Sequence, residues 1–311
     1  MGSFAFENFP SDFSTKSNFI LDIFGMLSEN GTEVSEVAKE HNFYFSGCYT
    51  NDQFWKKSLN RIKAEFSDRA MTRWLELQGG LDHIPNGFSK TMWITFENRR
   101  PPFSSFQRTL SFDIDDYSGT NLYLPLWLVY LDMFGRNPPW SRHSVTQDSL
   151  FAVRTRRYEN REFACAFINN PNQLRLRAIE KLSAIGKVDV YGRMTGNYVK
   201  DKIEVSKRYK FSICFENDLF PGYVTEKPLE AWLGDTVPLY WGYDKESYLN
   251  TKCMINLNSF DSLNEFVKYV EIVNKDELIY NALYSEPFLS RRYDTNSLLD
   301  FFRQWILEEI K

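Results

Sequence analysis

The sequence predicts an α/β protein made of two Rossmann-like halves. Three observations carry that expectation. Short apolar runs rich in β-branched and aromatic residues end abruptly at polar ones, as buried strands do. In the second half such runs alternate with helix-length amphipathic segments, the pattern of a parallel sheet. Between the halves, residues 135–160 are rich in Pro, Ser and charge, and the strand–helix pattern restarts after them. With 311 residues, 43% of them hydrophobic, the chain can bury a core in each half.

The elements follow in order. Residues 17–28 (SNFILDIFGMLS) space their apolar positions as a helix does, and Asn30-Gly31-Thr32 reads as an Asn-Gly turn rather than a glycosylation sequon. A strand is expected at 41–49, and one or two helices over 53–78, which contains no Pro or Gly. Strands follow at 90–98 (KTMWITFEN) and 108–116 (RTLSFDIDD), the first leading into a loop with Pro101-Pro102. The apolar run 123–134 is expected to be helical after Pro125. In the second half, strands are expected at 162–170, 187–192, 209–217, 236–242 and 253–260, and helices at 171–185, 225–234 and 262–273. Pro171 and Pro228 suit first helical turns. Residues 298–310 read as an amphipathic helix. The expected division is 1–150, 151–290 and a C-terminal helix at 291–311.

Composition excludes several classes. A formal net charge of −4 argues against a nucleic-acid binder, which needs a basic surface to track phosphates. The four cysteines, Cys48, Cys165, Cys214 and Cys253, form no CxxC pair, and with three histidines there is no zinc-ligand spacing. Buried, reduced thiols are the expectation, and with them a cytoplasmic location. No run approaches the ~20 apolar residues of a membrane span. The N-terminus lacks the basic and apolar regions of a signal peptide. Met1-Gly2-Ser3 has the composition of an appended remnant, which leaves open a removed targeting or membrane segment.

In open α/β sheets, ligands bind beyond the carboxyl ends of the strands. The polar residues that close each strand are therefore the candidates: Glu97, Asp113 to Asp116, Asn170, Gly192 and Arg193, and Glu216 with Asn217. The densest stretch is Phe215 to Trp241, FENDLFPGYVTEKPLEAWLGDTVPLYW, which holds two Glu residues, a Gly-Tyr turn and a Glu-Lys pair. A lysine at a helix start opposes the helix dipole, so Lys227 carries a local mismatch that a binding role would explain. Asp113-Ile114-Asp115 admits a rival reading, a hard divalent cation on a nucleotide sugar.

The segment YKFSICFENDLFPGYVTEKPLEAWLGDTVPLYWG (209–242) resembles the signature of the α-1,3-fucosyltransferases of glycosyltransferase family 10. The likeness extends upstream through ACAFINNPNQLRLRAIEKLS with VDVYG, then WITFENRRPP and LSFDIDDYSGTNLYLPLW, and more weakly to FYFSGCYTN. Two positions depart from the family pattern: Asn169 stands where the family has Ser, and Pro228 where it usually has an apolar residue. The resemblance implies a GT-B fold, with the active-site cleft between two Rossmann-like domains, the first facing the acceptor and the second binding GDP-fucose. It implies inverting transfer of L-fucose from GDP-β-L-fucose to a glycan hydroxyl, expected to be O3 of GlcNAc in an N-acetyllactosamine-like acceptor. It assigns Glu97 as general base and Glu226 to the sugar, as catalytic residues. Arg175, Asn217, Tyr223, Glu226, Lys227, Gly192 and Asn170 are assigned to the donor, with Glu216 behind them. Arg177 competes with Arg175 for the phosphate role. No cofactor or metal site is expected, with Mn2+ or Mg2+ stimulation left open. The alternatives are a GT-B or metal-dependent glycosyltransferase with another nucleotide-sugar donor, or a non-catalytic sugar- or nucleotide-binding module.

Overall fold

A computed structural model describes residues 3–7, 18–30, 32–47, 84, 86–101, 106–138, 145–155 and 161–308. Cys48 and the helices expected over 53–78 lie outside them. The chain divides into two compact units. The first takes residues 1–125, 137–142 and 294–311, the second 126–136 and 143–293.

In the first unit, five strands form one parallel sheet in sequence order: β1 (Phe4–Glu7), β2 (Phe43–Gly47), β3 (Lys90–Ile94), β4 (Arg108–Ser111) and β5 (Asn121–Tyr123). Strands β2 and β3 are buried along their whole length, as expected of strands covered on both faces. Helices α1 (Phe19–Asn30) and α2 (Thr32–Lys39) lie between β1 and β2 in the chain. The core here is largely aromatic. The Phe24 ring meets Phe43 edge-on at 4.9 Å, and Trp305 meets Phe43 and Phe45 at 5.6 and 5.8 Å. Such edge-on pairs add to the area that the rings bury. Trp305 comes from helix α8 (Thr295–Leu307). Lys90 is buried, and its Nζ donates to the carbonyls of Trp305 and Glu308 at 2.7 and 2.6 Å, placing a cation on the carbonyl end of that helix.

The second unit is a doubly wound sheet of order β10-β9-β8-β6-β7, all parallel. Its strands are β6 (Glu162–Phe167), β7 (Val188–Tyr191), β8 (Tyr209–Phe215), β9 (Val237–Trp241) and β10 (Ile255–Asn256). Its helices are α3 (Gln173–Ser183), α4 (Lys202–Ser206), α5 (Lys227–Leu233), α6 (Leu263–Lys275) and α7 (Glu277–Ser285). Strand alternation divides the side chains between two faces. Ala164, Ala166, Phe211, Ile213, Val237 and Leu239 pack with Ala178 and Leu182 of α3, Val270 of α6 and Tyr280 of α7. Cys165, Tyr191 and Tyr209 point the other way, toward Val205 of α4. Cys165, Cys214 and Cys253 are buried free thiols, and burial pushes Cys165 up to about 11, so it stays protonated.

Four expectations differ from this picture. The run 123–134 is not an α-helix: β5 ends at Tyr123, and Leu126–Tyr130 forms a 3₁₀ turn with four consecutive buried residues, which leaves no polar face for a surface helix. The strand expected over 253–260 shortens to Ile255–Asn256, flanked by 3₁₀ turns. Strand β1 and helices α2, α4 and α7 were not foreseen. The compact units also divide the chain elsewhere than at 150 and 290. Residues 126–136 join the second unit, and the C-terminal helix joins the first, because Phe302 and Trp305 fill its aromatic core.

Candidate active site

The second sheet reverses its strand order between β6 and β8. The chain leaves β6 toward β7 on one side and later returns to β8 on the other, and this is where open α/β sheets bind ligands. Asn169 and Asn170 follow β6, and Glu216 and Asn217 follow β8. Arg175 spans the gap between them. Its backbone N–H is capped by Asn172 Oδ1 at 2.9 Å, fixing it in the first turn of α3. Its guanidinium, only 5% exposed, donates to the Asn170 carbonyl at 2.7 Å and to the Phe215 carbonyl at 2.5 Å. The planar fork thus ties the ends of β6 and β8 together, which a point-charge lysine could not do. Arg177, the competitor, is exposed on the helix surface.

Gly192 closes β7. Its φ is +104°, and a Cβ there would lie 2.7 Å from the Ile168 carbonyl oxygen and 2.8 Å from Asn169 Oδ1. Glycine is required on both counts. Asn169 accepts the Arg193 N–H at 3.2 Å, so the departure from Ser at this position still serves the turn.

Past β8, Glu216 has no solvent exposure. Oε1 accepts the Thr225 N–H at 2.8 Å, and Oε2 accepts Thr225 Oγ1 at 2.7 Å and Lys227 Nζ at 3.0 Å. Lys227 Nζ also donates to Thr225 Oγ1 at 2.9 Å. The end of β8 is thereby fastened to the start of α5, and the expected dipole mismatch at Lys227 is offset by a buried carboxylate. Burial raises the Glu216 carboxyl, against the pull of Lys227 and Thr225. Burial also opposes the Lys227 charge, but Glu216 and Glu226 outweigh it and hold the ammonium above the ordinary lysine range. Arg175 lies close enough to Lys227 to oppose that rise, so two cations face one small region. Glu226 is half-buried and immediately precedes α5, without a side-chain cap bond to that helix.

The other expected donor residues occupy the same end of the sheet. The Asn217 carbonyl accepts Asn172 Nδ2 at 3.3 Å, and Asn170 is exposed. Gly222, at φ +87°, donates its N–H to Tyr243 O at 2.9 Å, which turns the chain so that Tyr223 is almost wholly buried. Asn172 and Thr225 were not anticipated as links. The asparagine just before an apolar-periodic helix is a cap signal that would have found the first.

In this protein a model of the glycosyltransferase family 10 (fucosyltransferase) C-terminal region matches residues 158–286, the stretch that carries every feature just described in the second unit. That stretch is similar to the C-terminal region of the family 10 fucosyltransferases. The chain is also similar to curated fucosyltransferases. The alpha-(1,3)-fucosyltransferase FucT of Helicobacter pylori is 28% identical over 226 residues, covering 64% of this chain and 47% of that protein. Human 3-galactosyl-N-acetylglucosaminide 4-alpha-L-fucosyltransferase FUT3 is 28% identical over 232 residues, covering 70% of this chain and 60% of that one. The chain thus spans roughly half of the relatives it matches. A crystal structure of an alpha1,3-fucosyltransferase aligns with a TM-score of 0.65 at 20% identity, over 99% of this chain and 90% of that one. One solved with GDP-fucose gives 0.64 at 19% identity, over the same shares. The fold is therefore of the expected GT-B class.

Glu97 belongs to the first unit. It lies three residues beyond β3, half-buried, in a turn closed by Thr95. Thr95 Oγ1 donates to the Glu97 carbonyl at 2.5 Å and accepts the Glu97 N–H at 3.3 Å, and the Arg99 N–H donates to the same carbonyl at 2.6 Å. The Asp113-x-Asp115 motif does not gather carboxylates. Asp113 is 5% exposed and pairs with Arg100. Asp115 and Asp116 accept the N–H groups of Tyr117 and Ser118 at 3.0 and 3.1 Å. Among the described residues no group of three His, Cys, Asp or Glu could hold a metal, and no helix is long and apolar enough to cross a membrane.

Proposed function

We propose that this protein is an inverting fucosyltransferase that moves L-fucose from GDP-β-L-fucose to O3 of GlcNAc in an N-acetyllactosamine-like glycan. One observation carries the reading. The family-matched stretch builds, at the switch point of a doubly wound sheet, two neighbouring cations on buried supports: Arg175 across the ends of β6 and β8, and Lys227 on Glu216. Such a pair suits a diphosphate, whose charge grows as the sugar leaves.

In this reading, the acceptor hydroxyl gives its proton to Glu97 as its oxygen bonds to the anomeric carbon. The bond from that carbon to the β-phosphate oxygen breaks on the opposite side, and GDP departs against Arg175 and Lys227. The sugar's configuration changes from β to α. Glu226, next to Lys227, is suited to a fucose hydroxyl or to the positive charge that develops on the ring. No metal is needed for these steps, because the two cations supply the charge.

The test is a donor and acceptor panel. Binding of GDP-fucose, GDP-mannose and UDP-sugars is measured by calorimetry, and transfer to N-acetyllactosamine and related glycans by product NMR. The expected result is preference for GDP-fucose and an α-1,3-fucosylated product. Preference for UDP-sugars, or donor binding without transfer to any acceptor, would replace this reading with one of its alternatives.

A further inference from the structure

Burying a carboxylate costs free energy unless it is paired and hydrogen-bonded. Asp113 is buried yet only half served: its Oδ1 meets Arg100, while its Oδ2 is enclosed without a hydrogen-bond partner. Burial accordingly pushes its carboxyl up, with Arg100 working against that. A pair retained for stability alone would favour the two-pronged Arg–carboxylate geometry, in which both oxygens are used. Here the guanidinium divides its hands instead. Nη1 goes to Asp113, and Nη2 donates to Asn98 Oδ1 at 2.6 Å.

The two ends of that bridge differ in what anchors them. Asp113 is fixed two residues beyond the end of β4. Its N–H is bound by Ser111 Oγ at 3.1 Å, and its carbonyl accepts Asn121 Nδ2 at 3.0 Å. Asn121 Oδ1 in turn receives Ser111 Oγ at 2.8 Å and Thr109 Oγ1 at 2.9 Å. These groups tie the end of β4 to β5 through buried polar contacts. Asn98, at the other end, is the residue next to Glu97. The Thr95 bonds set the shape of the Glu97 turn, and the Thr95 N–H holds its base to the Leu110 carbonyl at 3.0 Å. Arg100 fastens its far side to the neighbouring strand.

We propose that the Arg100–Asp113 pair, acting through Asn98, is the positioning element that holds Glu97 in place for proton transfer. The proposal rests on Glu97 being the base. An error of about 1 Å in the placement of a reacting group can cost about a hundredfold in rate, so a rigid brace is a kinetic requirement and not merely a structural one.

The experiment compares Asn98→Ala, Arg100→Lys and Asp113→Asn with Glu97→Gln, using GDP-fucose and the acceptor found active in the panel. Asn98→Ala leaves the buried ion pair intact, so it keeps the test sound if Asp113→Asn fails to fold. Each bracing variant is expected to lower kcat about tenfold to a hundredfold with the affinity for GDP unchanged. The acidic limb of its kcat–pH profile should move. In the Glu97→Gln background, adding Asn98→Ala should cost nothing further, since there is no base left to position. Bracing variants that keep both kcat and the pH profile, or that lower activity equally with and without Glu97, would overturn the brace while leaving the base assignment standing. A Glu97→Gln enzyme with normal turnover would instead remove the reading on which the brace rests.

Discussion

Lys227 Nζ lies 3.0 Å from Oε2 of Glu216, a carboxylate with no solvent exposure. That contact joins the middle residue of one motif, Phe-Glu-Asn, to the last of another, Thr-Glu-Lys. It makes the lysine both a ligand candidate and a structural necessity. Replacing Lys227 by Met strands the Glu216 charge in the interior, and removing one partner of a buried pair typically costs about 3–5 kcal/mol. Urea titration should show that loss, and calorimetry should show GDP binding weakened. The double variant Glu216→Gln, Lys227→Met should recover much of the stability without recovering GDP binding, which separates the two roles.

Glu97→Gln keeps the size of the side chain but cannot take a proton. Transfer should fall about 10²- to 10⁴-fold, the usual contribution of a general base. Affinity for GDP-fucose should stay unchanged in a titration. Normal transfer by this variant would end its assignment as the base.

Gly192→Ala places a methyl within 2.7 Å of the Ile168 carbonyl oxygen, on a backbone at φ +104°. Strain of this kind costs about 1–3 kcal/mol. A lowered melting temperature should accompany weaker GDP binding, because the same turn sets the end of β6. An unchanged melting temperature would mean that the turn relaxes freely.

Asp244 offers a pH-dependence with a defined sign. Burial raises its carboxyl to about 6 from an ordinary 3.8, against the Leu249 and Tyr248 N–H groups and Arg291, with Glu246 adding to the rise. The folded state therefore takes up a proton at higher pH than the unfolded state. Its cost is fully present above about pH 6, and the protein gains stability from this group as pH falls from there toward 3.8. In Asp244→Asn, the amide oxygen can take the place of Oδ2, which accepts the Leu249 N–H at 2.6 Å. That variant should be more stable than wild type at pH 7, by on the order of 2 kcal/mol, with the difference vanishing near pH 4. A difference that stays constant across this range would show that Asp244 does not titrate there.

The second unit was legible in the sequence because its strands are apolar on both faces and its helices carry their own signals. The strand at 209–217 and the helix at 225–234 could be placed from Phe211, Ile213 and Phe215 and from Pro228 alone. The motif residues were legible as a group but their partners were not. Arg175 was expected to hold phosphate, and nothing local told that its guanidinium spans two strand ends. Asp113 invited a metal because Asp115 is its neighbour in the chain. Its actual partner, Arg100, is brought to it by the pairing of β3 and β4, a contact that no pattern of local spacing encodes. The 3₁₀ turn at Leu126–Tyr130 was hidden for a related reason, since an unbroken apolar run has no period to read.

Trp305 and Phe302 finish the aromatic core whose other members, Phe24, Phe43 and Phe45, come far earlier in the sequence. A ribosome therefore releases the first sheet long before the helix that covers it. During synthesis the second unit can close on its own residues, while the rings of the first wait with no cover from α8. The N-terminal unit is the last to be completed, and in that interval its open aromatic surface is what a chaperone, or another nascent chain, would meet.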